Sequence, residues 1–156
     1  GPRLVCGAAG GAGVRARPYG EDALVLVAAP AHALAGAGPV GLDALAGHTL
    51  VSREPGRADR DEVDALLRRA GVAPAARFEV ASLEAVKAAV QAGLGLAVVP
   101  GVAVARERAR GDLLAVEVEG GLPALRYAVV APRAAGDGLA EALRRELAAV
   151  MARLGG

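Results

Sequence analysis

The sequence predicts an α/β fold with a mainly parallel sheet and helices on both of its faces, and three observations carry that expectation. Apolar runs of strand length alternate with amphipathic helical patterns along the chain. One of those runs, residues 23–29, is apolar at every position, as a strand buried on both faces of a parallel sheet must be. Glycines stand where helices give way to strands, and strand, helix, strand units of this kind close by right-handed crossovers. At 156 residues and 54% hydrophobic content, the chain holds enough apolar surface for one ordinary core or for two small lobes.

Taken in order, "RLVCG" reads as a short apolar strand and "AAGGAG" as a crossing loop. "ALVLVAA" is the buried strand, reached from "VRARPYGED" through a turn. A turn-rich connection follows, with a helix of one or two turns at 42–46, and then the strand "TLVS". "ADRDEVDALLRRAG" is an amphipathic helix: Asp59 and Glu62 have capping-box spacing, Val63, Leu66, Leu67 and Ala70 share a face, and Gly71 ends it. After the strand "ARFEV" comes "SLEAVKAAVQAGLGLAVVP". Here Ser82 is the N-cap, Leu83, Val86 and Val90 form the buried face, Gly93 closes the helix, and a hydrophobic strand runs to Pro100. A helical turn at 102–108, the strands "LLAVEVE" and "LRYAVVA", and a last helix over 137–154 complete the chain. That helix carries Leu139, Leu143, Leu147, Val150 and Leu154 along one stripe.

Several chemistries are disfavoured by composition. A net charge of +1 with scattered acids and bases supplies no basic stripe for phosphate backbones. Tyr19, Phe78 and Tyr127 are the only aromatic residues, too few for a platform that stacks bases. The single cysteine, Cys6, excludes an internal disulfide and a multi-cysteine metal site, fits a reducing cytoplasm, and by itself reads as a small buried hydrophobe. No apolar run reaches the roughly 20 residues of a membrane span, and the start does not resemble a signal peptide. His32 and His48 have no ligand-spaced partner and read as turn histidines, so neither a metal nor a cofactor is expected. The acids at 59–64 suit a helix N-terminal turn better than general acid and base work. Ser52 and Ser82 lack a nucleophile elbow, and "GAAGGAG" (7–13) leads into a strand instead of opening a helix, which argues against a phosphate loop. No catalytic residue is expected.

Ser82 retains two readings. It is a helix cap, favoured on the residues alone. A helix start that directly follows a strand is also where open α/β sheets hold small anions.

The segments "EDALVLVAAPAHALA", "LDALAGHTLVSREPG" and, above all, "SLEAVKAAVQAGLGLAVVP" together resemble the effector-binding region of LysR-type transcriptional regulators, and the resemblance covers nearly all of residues 3–154. It implies a fold like type 2 periplasmic binding proteins, with two α/β lobes joined by crossing strands and a small effector between them. On that pattern residues 1–13 are a first hinge strand and crossing loop, 14–119 the second lobe, and 120–156 the return strand and terminal helix of an incomplete first lobe. The resemblance places Cys6 and Gly7 at the hinge edge, Ala81, Ser82 and Leu83 at the helix start facing the effector, and Pro100 with Gly101 at the far wall. A family member carries a winged helix-turn-helix, a linker helix and half of the first lobe before the position of Gly1. The implied partners are therefore a small, anionic effector, further copies of the chain in a dimer or tetramer, and DNA only through that preceding segment. A solute-binding protein or an enzyme on the same fold is the rival reading, and a truncated reading frame without an independent role is a third.

Overall fold

The computed structural model describes residues 3–6, 14–132 and 137–154, which divide into two compact units, one of residues 1–22 with 124–156 and one of residues 23–123. The glycine loop expected at 7–13, Gly7 included, lies outside the described residues. The unit boundaries fall at 22/23 and 123/124, so residues 14–22 group with the terminal helix.

In the first unit, β1 (Arg3–Cys6) pairs antiparallel with β7 (Ala124–Pro132), Cys6 lying opposite Tyr127. β7 is flanked on its other side by β2 (Val14–Ala28). The turn expected before residue 23 is absent, and β2 is continuous from Val14. Pro18, which lacks an N–H, is accommodated because in this unit the outer side of β2 carries no described strand. α4 (Asp137–Leu154) packs through Ala140, Leu143 and Leu147 on Val129 and Tyr19, and the Tyr19 and Tyr127 rings stand 5.8 Å apart. Its buried stripe differs from the expected one: Leu139 is 68% exposed and Val150 38%. The helix is turned so that Glu141 meets Arg17 at 3.6 Å and Met151 lies against Gly20.

The second unit contains the main core. Leu24–Val27 of β2 pair antiparallel with β5 (Ala97–Pro100), and Leu26–Ala28 pair antiparallel with β6 (Leu114–Val116). β3 (Thr49–Arg53) and β4 (Ala76–Val80) run parallel in full register, Arg53 opposite Val80, and a further parallel bridge joins Leu50 to Leu96. The α/β class stands, while the pairing is mixed: parallel where α1 (Ala58–Ala70) crosses over between β3 and β4, antiparallel where β2 meets β5 and β6 and where β1 meets β7. Val27, Val51, Val86, Ala89, Val90, Ala97, Val99, Val104 and Leu113 form one buried aliphatic cluster.

α1 (Ala58–Ala70) crosses between β3 and β4 and ends at Gly71 with φ 68°, a left-handed stop that glycine makes without steric cost. The expected capping box is not formed. The N-cap is Arg57, with no side-chain cap, and Asp59 lies inside the first turn, where Arg53 claims its carboxylate at 2.8 Å. A buried carboxylate gains more from a bidentate guanidinium than from a backbone amide, and that pairing displaces the local motif. Leu66 is only half-buried and Ala70 exposed, so Val63 and Leu67 carry the contact.

Candidate functional site

α2 (Leu83–Gln91) begins two residues after β4, with Ser82 in an extended conformation as its N-cap. The Ser82 hydroxyl accepts a hydrogen bond from the Ala85 amide at 3.1 Å, as the sequence pattern requires. Only one first-turn donor is satisfied this way, so the Leu83 and Glu84 amides have no intrahelical acceptor and carry the positive end of the helix dipole. Leu83 is half-buried against the aliphatic cluster that includes Val99 and Val104, whereas Ala81 and Ser82 are exposed.

The helix ends on Gly93, at φ 81°, and the chain re-enters the sheet through Gly95. A Cβ on Gly95 would stand 2.4 Å from the Thr49 carbonyl oxygen, so β3 and the start of β5 approach each other too closely for any side chain there. The two glycines thus have separate jobs, one conformational and one steric. Leu96 then donates to Thr49 and accepts from Val51, at 2.9 and 2.7 Å.

That register has a directional consequence. β3, β4 and the chain entering β5 are parallel, so Arg53, the Val80–Leu83 turn and the Val99–Gly101 turn all stand at the carboxyl ends of these strands. Open α/β sheets hold ligands at such strand ends. Of the residues expected from the sequence, Ala81, Ser82, Leu83, Pro100 and Gly101 therefore share one end of the second unit. Pro100 is buried and Gly101 half-buried, at the start of a 3-10 helix (Gly101–Val104) that leads into α3 (Ala105–Arg110). Cys6 ends β1 in the first unit, and Gly7 lies outside the described residues.

The structure adds a charged cluster that sequence spacing did not reveal. Arg60, on α1, is buried and reaches Asp64, Glu79 and the Arg53 carbonyl at 2.7, 3.1 and 2.7 Å. Arg77 donates to Asp64 and to the Ser52 hydroxyl at 2.9 and 2.8 Å. Since Asp59 already neutralises Arg53 and every one of these acids faces a guanidinium, the cluster fastens α1 to β3 and β4 instead of presenting a free cation to a ligand. The signal available in the sequence was arginine on both β3 and β4 with acids on the intervening helix.

The two histidines also meet, with ring centroids 4.8 Å apart. His32 Nδ1 accepts from the Leu34 amide at 3.1 Å, and burial together with the neighbouring His48 lowers its pKa from the ordinary 6.5. A histidine whose folded pKa lies below the unfolded value destabilises the fold as it charges, because the unfolded chain binds the proton more readily. Stability is therefore full above about pH 6.5 and declines as the pH falls below that value. His32→Asn keeps an acceptor for Leu34 and removes the titration, so its melting temperature should drop less between pH 7.5 and 5.5 than that of the parent chain. Equal drops in the two proteins would contradict this assignment.

Two open grooves of metabolite size lie elsewhere. In the first unit a volume of about 500 Å³ runs along Ala16, Pro18 and Gly20 of β2 and Arg126 to Ala128 of β7. In the second a volume of about 610 Å³ follows Leu24 to Leu26 and the 115–122 segment. The end of the sheet around Ser82 is an exposed shelf by comparison. Among the described residues no group of three or more His, Cys, Asp or Glu could hold a metal ion, and no helix is long and apolar enough to cross a membrane.

Comparison with known proteins agrees with this architecture. The family model described as LysR substrate binding domain matches residues 4–152. The RuBisCO operon transcriptional regulator of Allochromatium vinosum is 35% identical over 107 residues, covering 69% of this chain and 35% of its own length. The HTH-type transcriptional regulator CbbR of Xanthobacter flavus is 38% identical over 116 residues, covering 69% of this chain and 34% of its own. The match thus takes in about a third of each of these curated relatives. Among solved structures, the regulatory domain of Synechocystis PCC6803 CcmR in complex with 2-PG aligns with a TM-score of 0.83 at 25% identity, over 96% of this chain and 72% of that one. The regulatory domain of MetR from N. meningitidis aligns with a TM-score of 0.77 at 18% identity, over 94% and 68%. With a family match along almost its whole length and the α/β fold of the regulatory domains of such regulators, the chain belongs to the LysR substrate-binding domain family.

Proposed function

We propose that the chain is the effector-sensing part of a LysR-type transcriptional regulator and that a small anion docks, chemically unaltered, at the start of α2, with Ser82 and the Leu83 and Glu84 amides as its donors. One observation carries this reading: a capped helix with two unclaimed amides opens at the carboxyl ends of parallel strands, beside the Pro100–Gly101 turn. Backbone donors and a helix dipole select negative charge without needing a lysine or arginine. The likeness to the CcmR regulatory domain, which is complexed with 2-PG, supports a metabolite as the occupant. In the longer regulator the bound effector would bias an equilibrium between two states of a cytoplasmic dimer or tetramer whose preceding helix-turn-helix holds the DNA.

Isothermal titration of the purified chain with 2-PG, inorganic phosphate and citrate tests this reading, with each compound followed for turnover. Saturable binding of at least one probe with no product formed is the expected result. No heat from any probe at millimolar concentration, or catalytic conversion of one, would overturn it.

On α4, Leu139 and Val150 stand 68% and 38% exposed. Apolar side chains open to water on one helix should bring copies of the chain together, so light scattering should find a dimer or larger species and a hydrophobic dye should bind. A monomer that leaves the dye dark would contradict it.

A further inference from the structure

We infer that Lys87 and Glu107 form a positioning clamp that fixes the Pro100–Gly101 turn against α2, so that the two sides of the candidate anion site keep their spacing. The inference rests on the effector-site reading above, but its structural half can be tested without a ligand. Lys87 is the only lysine in a chain whose other basic residues are arginine. Its side chain is 12% exposed, one helical turn beyond Leu83, and its three ammonium protons have three acceptors. Nζ donates to the Ala103 carbonyl at 3.0 Å, to Glu107 at 2.9 Å, and to Glu84 at 2.9 Å. The first two acceptors belong to the 3-10 helix and α3, which follow Pro100 directly, and the third belongs to the first turn of α2. One nitrogen thus ties the exit of β5 to the helix whose start offers the free amides.

Geometry sets the residue type. A carbonyl and two carboxylates around one point suit the compact ammonium, whereas a planar guanidinium would have to spread them apart. Glu107 is 9% exposed and one of its carboxylate oxygens has no hydrogen-bond partner, so its charge depends on Lys87. Burial disfavours the ammonium, yet the bonds to Glu107 and Glu84 raise its pKa above the usual lysine value; the Lys87 hydrogen bond holds the Glu107 carboxyl below the usual glutamate range.

The test separates clamping from mere stability. Lys87→Met alone leaves a buried, unpaired carboxylate and should lower the melting temperature by about 10 °C. The double variant Lys87→Met with Glu107→Leu removes both charges, keeps similar volumes, and should recover most of that loss. If the pair acts as a clamp, the recovered double variant still shows faster amide hydrogen exchange than the parent at Leu83, Glu84, Gly101 and Val102, and its affinity for 2-PG falls about tenfold. A double variant with parental exchange and parental affinity would overturn the inference, because stability alone would then account for the pair. If exchange rises as expected while the parent chain binds no probe, the clamp stands and the effector reading is what fails.

Discussion

Replacing Gly95 with alanine is expected to destabilise the chain by about 3 kcal/mol. The added Cβ would stand 2.4 Å from the Thr49 carbonyl oxygen, which already accepts the Leu96 amide, so either that hydrogen bond lengthens or β3 moves away. Leu50, Val51 and Leu96 are each at most 2% exposed, and movement of β3 would disturb all three. Gly93→Ala is the informative control. It meets no atom within 4 Å but must hold φ at 81°, and should cost only about 1 kcal/mol. Urea unfolding of both variants checks the order: Gly95→Ala well below Gly93→Ala in midpoint. Equal midpoints would show that the close approach at Thr49 relaxes without penalty.

The second large effect is on binding. Ser82→Asp is expected to reduce affinity for 2-PG at least tenfold while leaving the melting temperature within about 2 °C of the parent. Aspartate caps helices as well as serine does, so the Ala85 hydrogen bond survives the change. A carboxylate at the helix start, however, neutralises the dipole and repels an incoming anion, and one like charge at about 4 Å is worth more than the 1.4 kcal/mol of a tenfold change even when partly screened. Ser82→Ala makes the complementary comparison, losing about 1 kcal/mol of cap stability and adding no charge. Should Ser82→Asp bind the probe as tightly as the parent chain, the helix start is not where the anion sits.

Much of this architecture was legible because its signals are periodic and local. The 3.6-residue spacing of Val86 and Val90, the Ser82 cap and the Gly93 stop all lie within a dozen positions of one another, and each is present as expected. The features that were missed join residues on different elements. The claim of Arg53 on Asp59 displaced a capping box that the local pattern alone would form, and the bond from Arg77 to Ser52 spans 25 residues. His32 and His48 meet although neither carries a motif. The orientation of α4 was misjudged for a related reason. Adjacent stripes on that helix are almost equally apolar, and the choice between them is made by Tyr19, Arg17 and Gly20 on a strand more than 115 residues away in sequence. At the candidate site, the residue types at 81–83 and 100–101 suggested a location, but their common placement at one sheet end became visible only through the parallel register of β3, β4 and Leu96. Lys87 carried no sequence signal beyond being a lone lysine, since its partners Ala103 and Glu107 lie 16 and 20 residues away.

The central claim is that an anion is held by the opening turn of α2. Titration of the isotope-labelled chain with 2-PG, followed amide by amide in nuclear magnetic resonance spectra, addresses it directly. The account predicts saturable shifts that are largest at Leu83 and Glu84, accompanied by Gly101. Saturation with those three amides unmoved, and with shifts confined to the grooves along β2 and β7 or along β6, would contradict it.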